Sequence, residues 1–127
     1  MKNIKFRAWI TGKGSYEERP YMFYQDDQYL GSFLRRANQQ QFSSSGHDSY
    51  GCVELMQFIG INDKNGKEIY EGDIVRAGDG VESVVGTITW VESQCMFAFE
   101  TKHMQSQITS DDEDEIKVVG NIYENQL

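Results

Sequence analysis

Hydrophobic and polar positions alternate near the start of the chain, where Ile4, Phe6, Ala8 and Ile10 are interleaved with Lys5, Arg7 and Trp9. A period of two sends successive side chains to opposite faces and predicts a half-buried strand. Thr11-Gly12-Lys13-Gly14 follows as a turn, since glycine accepts positive φ without steric cost. Residues 20–24, Pro-Tyr-Met-Phe-Tyr, predict a second short strand. Its proline stands at the start, where a missing N–H does least damage. The period then changes. Leu30, Phe33, Leu34 and Ala37 lie at i, i+3, i+4, i+7 and predict one amphipathic helix over roughly residues 27–39. Asp26 or Asp27 is placed to cap it, and Arg35 and Arg36 suit the dipole of its last turns. Residues 39–51, rich in Gln, Ser and Gly, read as a loop.

From Cys52 the strand period returns, with Val53, Leu55 and Gln57 alternating with Glu54, Met56 and Phe58. Asp63-Lys64-Asn65-Gly66-Lys67 predicts a hairpin turn, because Asn-Gly tolerates positive φ at both central positions. Short strands are expected at 73–76, 81–92 and 96–101, with a last one from Ile116 to Tyr123. Between the last two, Asp111-Asp112-Glu113-Asp114-Glu115 is too charged to pack. Short strands at this spacing predict a mainly β protein: a small barrel or rolled sheet of antiparallel strands with one helix.

Three segments stand together: Ile4 to Trp9 (IKFRAW), Leu55-Met56-Gln57-Phe58 through Asp63 to Val75 (DKNGKEIYEGDIV), and Val119 to Asn125 (VGNIYEN). In this order they resemble the YopX family of phage and prophage proteins. The resemblance covers the first strand and most of residues 52–127, and it is poor over 11–51. It implies a β-barrel-like or SH3-like roll and brings no catalytic residues to carry over. The expectation is a single YopX-like domain over residues 1–127, with 27–51 as a variable helix-plus-loop insertion. Gly60, Gly66, Gly72 and Gly120 are expected at turns or bulges. Asp73 is expected to accept backbone hydrogen bonds in the turn that opens its strand. Trp9, Tyr70, Trp90 and Tyr123 have apolar bodies and polar tips that could close a barrel or anchor a partner.

Composition narrows the function. A length of 127 residues with 39% hydrophobic and 25% charged positions suits one globular domain with its own core. No apolar run approaches a bilayer span, and the N-terminal MKNIKFRAW has no apolar stretch of a secretory signal. A cytoplasmic protein is therefore expected, with Cys52 and Cys95 as reduced, mostly buried thiols, and the resemblance implies that the cell is the bacterial host. Net charge is −8 and uneven. Residues 1–50 carry seven Lys/Arg against five Asp/Glu, whereas 51–127 carry five against fifteen. The acidic second half repels phosphate.

Cys52, Cys95, His47 and His103 lack the paired spacing of a zinc site. The 63–67 run is similar in part to a calcium loop. However, Lys67 stands where an oxygen ligand is needed and Ile74 where the bidentate Glu belongs. Glu68, Glu71 and Asp73 cluster with Lys67 and Arg76, which reads as solvated turn chemistry rather than an acid–base pair. No metal, no cofactor and no catalytic residue is assigned, and the expectation is a protein that is not an enzyme.

Two candidate interaction sites remain. Lys5, Arg7 and Trp9 share one strand face, the pattern by which small barrels bind single strands. Asp111, Asp112, Glu113, Asp114 and Glu115 form an acidic run that could dock a basic partner. The leading expectation is a phage accessory protein that binds a host or phage protein. The alternatives are a small nucleic-acid-binding barrel using the N-terminal strand, and an acidic inhibitor of a host defence or nuclease protein. No membrane partner is expected. Self-association is expected to the extent that strand edges stay open.

Overall fold

The computed structural model describes residues 4–10, 20–26, 28–41, 53–78 and 82–124. In order these form β1 (Phe6–Ile10), β2 (Tyr21–Tyr24), α1 (Leu30–Gln41), β3 (Val53–Asn62), β4 (Glu68–Tyr70), β5 (Asp73–Ala77), β6 (Val84–Val91), β7 (Met96–Glu100), β8 (Gln105–Gln107) and β9 (Ile116–Asn121). The class is the one expected: mainly β, with curled antiparallel sheets and one helix. The turn expected at 11–14, Asp27, Cys52 and residues 42–51 of the loop expected over 39–51 lie outside the described residues, whereas the helix continues through 39–41. Backbone contacts sort the described chain into two compact units, divided between Gln57 and Phe58.

In the first unit β1 is the central strand. It pairs antiparallel with β2, Arg7 opposite Tyr24 and Ile10 opposite Tyr21. On its other side it pairs with the first half of β3, Phe6 opposite Gln57 and Ile10 opposite Val53. Ala8 and Ile10 project from one face of β1 onto Phe33 and Ala37 of α1, and all four are buried. Phe6, Phe23 and Leu34 pack around them, with the Phe23 and Phe33 rings stacked at 5.5 Å. Full burial of the Ile10 and Phe33 side chains is worth about 1.5–3 kcal/mol each. The helical spacing read from the sequence is thus the spacing that seals this core.

The helix begins three residues later than its periodicity suggests, because a turn occupies the preceding positions. Asp26 lies at φ 51°, in the left-handed region, and Gln28 N–H donates to the Gln25 carbonyl. Asp26, four residues ahead of Leu30, is therefore not its cap. The first helical bond runs from Phe33 N–H to the Tyr29 carbonyl. Buried Gln25 fixes the turn: its Oε1 accepts Phe6 N–H at 3.0 Å and its Nε2 donates to the Gln28 carbonyl at 2.9 Å.

The second unit holds a five-stranded antiparallel sheet in the order β8-β7-β6-β5-β9, together with β4 paired to the second half of β3. One sheet face carries the core: Val75 from β5, Ile88 from β6, Phe99 from β7, and Ile116 and Val118 from β9, closed by Ile69 of β4. Gly86 makes room for Phe99. A Cβ at that position would sit 2.7 Å from the Phe99 ring and from the Glu100 carbonyl oxygen. Of the glycines expected at turns or bulges, Gly60, Gly66 and Gly72 have positive φ, and Gly60 falls where the β3–β4 register shifts. Gly120 lies at the irregularity between β5 and β9. β4 and β8 are strands that the sequence reading lacks; β8 has no period to show, since Gln105-Ser106-Gln107 contains no apolar residue. Its place is fixed by β7, with Ser106 opposite Phe99.

Candidate functional site

Two acid-bearing turns of the second unit do different things. The first is the turn between β3 and β4. Asp63 is buried, and its Oδ1 accepts the backbone N–H groups of Asn65 and Lys67, both at 2.9 Å. Its Oδ2 accepts Val118 N–H of β9, also at 2.9 Å, from 55 residues away. Lys64 N–H donates to the Ile116 carbonyl at 3.0 Å. The turn therefore satisfies part of the outer edge of β9, which would otherwise stay open to a foreign strand. Burial by itself would raise the Asp63 carboxyl. The three backbone N–H donors and the Lys67 ammonium outweigh it, and the pKa lies below the ordinary aspartate value. A carboxylate whose oxygens accept main-chain amides is built into the fold, which is why this segment is a hairpin turn.

Asp73 accepts a backbone hydrogen bond as expected, its Oδ2 taking Tyr70 N–H at 2.8 Å across the turn into β5, but it is buried and not part of a solvated cluster. Opposite it in β9, Asn121 Oδ1 accepts the N–H groups of Tyr123 and Glu124 at 3.0 and 2.8 Å. Of the other carboxylates in that segment, Glu68 is half-buried and accepts the Tyr70 hydroxyl at 3.4 Å.

The second turn is the acidic run, and its shape corrects the expectation that it is too charged to pack. Ser110–Asp112 form one turn of 3-10 helix. Asp112 Oδ2 accepts Thr109 N–H at 2.9 Å, satisfying a donor at the turn's start. Glu113 Oε1 accepts Asn62 N–H at the end of β3 at 3.4 Å, and the Glu115 carbonyl accepts Gly78 N–H after β5 at 3.0 Å. Asp112 and Glu113 are half-buried by these ties, whereas Asp111, Asp114 and Glu115 are exposed.

Beside this turn a pocket of about 170 Å³ opens onto the core. Ala77, Val84, Phe99, Ile108 and Ile116 give it apolar walls, Ser106 and Gln107 of β8 line one side, and Asp112 and Glu115 add carboxylates. On the opposite sheet face lies a shallower depression of about 440 Å³, lined by Ile74, Val85, Thr87, Thr89, Glu100 and Lys102. Thr89 Oγ1 donates to Glu100 Oε2 there at 3.1 Å. Sequence reading missed the 170 Å³ pocket because its lining is gathered from five separate segments. The one local signal is the apolar Ile108 directly after the polar β8.

The basic–aromatic candidate fares differently. Lys5 and Trp9 are half-buried, but Arg7 is only 2 % exposed, between Tyr24 and Met56 in the strand register. The three residues do share a face of β1, but that face is covered at its centre rather than presented to solvent. Cys95 is a second correction, being exposed rather than buried. It sits in the β6–β7 connection at φ 48°, its N–H donating to the Glu92 carbonyl, so it is a turn residue and not a core one. Of the aromatics offered as anchors, Tyr70 is buried against Phe58, while Trp90 stays 43 % exposed with its ring edge-on to Phe97 at 4.9 Å. Among the described residues no three His, Cys, Asp or Glu side chains gather as a metal-binding group. No described helix is long and apolar enough to cross a membrane.

Fold and site together define a small antiparallel β protein that carries its carboxylates in turns along the sheet margins. The model of the family described as YopX protein matches residues 5–127, so the chain belongs to the YopX family. Among solved structures, the crystal structure of protein EF1440 from Enterococcus faecalis is similar, with a TM-score of 0.55 and 21% identity over 98% of this chain and 96% of that one. At that identity the likeness shows the fold. No curated protein matches the chain.

Proposed function

We propose that the chain is a non-enzymatic accessory protein of a phage or prophage that acts by binding a protein partner in the infected bacterial cell. The observation that carries this reading is the acidic turn. Asp112 and Glu113 are used to hold its shape, which leaves Asp111, Asp114 and Glu115 exposed on a preset frame. A rigid group of like charges attracts a basic surface at long range and loses little conformational entropy on docking. Burial of Arg7 weakens the nucleic-acid alternative, because a phosphate-binding face needs its cations in solvent.

The test is a pull-down of the tagged chain from host lysate, with and without nuclease, alongside the triple variant Asp111→Asn, Asp114→Asn, Glu115→Gln. A protein retained after nuclease and lost from the variant supports the reading. Retention that vanishes with nuclease, or that the variant leaves unchanged, overturns it.

A further inference from the structure

The open end of the five-stranded sheet combines two features that acquire a joint meaning once the strand register is followed. β8 is the terminal strand on that side, and all three of its residues are exposed. Thr101 N–H donates to the Met104 carbonyl and Ile108 N–H to the Phe97 carbonyl. These bonds set the alternation along the β7–β8 pair, in which Ser106 faces Phe99. Ser106 thus turns its backbone groups toward β7, and Gln105 and Gln107 turn theirs outward. Among the described residues no strand pairs with that outer side.

The Ser106 side chain shares the core face with Phe99, and the same two residues line the 170 Å³ pocket. The edge that can accept a strand and the pocket that can accept a side chain are therefore adjacent and in register. A strand added beside β8 would exchange main-chain hydrogen bonds with Gln105 and Gln107. The incoming residue opposite Ser106 would then aim its side chain at the pocket. The pocket's apolar walls suit a methylene stem, and Asp112 and Glu115 in the lining suit a cation at its end.

We infer that β8 and this pocket form a docking site for an extended basic peptide segment of a protein partner, which adds as a strand and inserts one Arg or Lys side chain. The inference rests on the protein-binding reading above and names its chemistry. Charge selects this occupant over a second copy of the chain. Two copies paired edge to edge would bring together two acidic turns of a protein carrying −8.

The experiment titrates the isotope-labelled full chain with acetyl-Thr-Val-Arg-Val-Thr-amide and follows backbone amide shifts. Three controls accompany it: the peptide N-methylated at both valines, the peptide with citrulline for arginine, and the protein variant Gln107→Pro. That variant removes an outward N–H to which no strand among the described residues pairs, and proline is tolerated in an edge strand.

Saturable shifts at Gln105, Gln107 and Ile108 are expected. The N-methylated peptide and the proline variant should each weaken binding by about tenfold or more, and citrulline by about fivefold. Thermal unfolding of the variant should be unchanged. The inference is overturned by any of four results. These are no binding at millimolar peptide, equal binding of the N-methylated peptide, shifts confined to residues 111–115, or a dimer of the free protein that Gln107→Pro dissociates. If the pull-down partner is still retained in those cases, the protein-binding reading stands and only this assignment falls.

Discussion

The turn at 63–67 and the turn at 109–115 are both acid-bearing and both lie at the margin of one sheet, yet their carboxylates serve opposite ends. Asp63 directs both oxygens inward, onto three main-chain N–H groups. The acidic run uses only Asp112 and Glu113 in this way and leaves Asp111, Asp114 and Glu115 to solvent. What separates an architectural acid from an interaction acid is therefore where its lone pairs go. A single Asp in a turn can outweigh a cluster of five in its hold on the fold.

Substitutions that keep shape but change charge break the comparison most directly. Asp63→Asn replaces one acceptor oxygen by an NH₂ group and should cost about 3 kcal/mol in urea unfolding, from one or more buried N–H groups left unpaired. A cost below about 1 kcal/mol would mean that the turn holds without its carboxylate. Asp73→Ala orphans the buried Tyr70 N–H and should cost about 2 kcal/mol. Acid titration of stability gives the next test. The folded pKa of Asp63 is lowered, so its contribution is complete above the ordinary aspartate value and is lost as pH falls through the folded value. Asp63→Asn should flatten that acid limb, and a limb of unchanged slope would assign it to other groups.

Effects at the other turn should be smaller. Asp112→Ala removes the acceptor for Thr109 N–H and should cost about 1 kcal/mol, read from the thermal midpoint. Asp111→Asn with Asp114→Asn should leave that midpoint unmoved while reducing the salt dependence of partner capture. Destabilisation by the exposed pair would place those acids in the fold as well, and would erase the distinction between the two turns.

Much of the fold was legible from sequence because it rests on periodicity. The alternation of Ile4 to Ile10 and the spacing of Phe33 and Ala37 mark one core, and Asn65-Gly66 marks the β3–β4 turn of the other unit directly. The helix start was obscured because Gln25 holds a preceding turn through tertiary bonds to Phe6, which no local signal carries. β8 has no pattern of its own and exists because β7 supplies its hydrogen bonds. The site was half legible. Charge located the acidic run, but not the pocket beside it, whose lining comes together only when the sheet forms. Arg7 looked like a surface cation because alternation assigns it a face without saying whether that face is covered.

The link between Asp63 and Val118 also bears on the order in which the chain acquires structure. Synthesis delivers the 63–67 segment well before its β9 partner, 55 residues further on. Until then the carboxylate can serve its own turn, through Asn65 and Lys67, but Val118 N–H is not there to be bound. Closing so long a stretch carries an entropic cost that local pairings such as β6–β7 avoid, so it belongs among the late events of folding. Docking of β9 onto the waiting carboxylate thus comes late, and unfolding by pulling at the C-terminal end should break the Ile122–Gly72 bond first and reach the Asp63–Val118 bond after it.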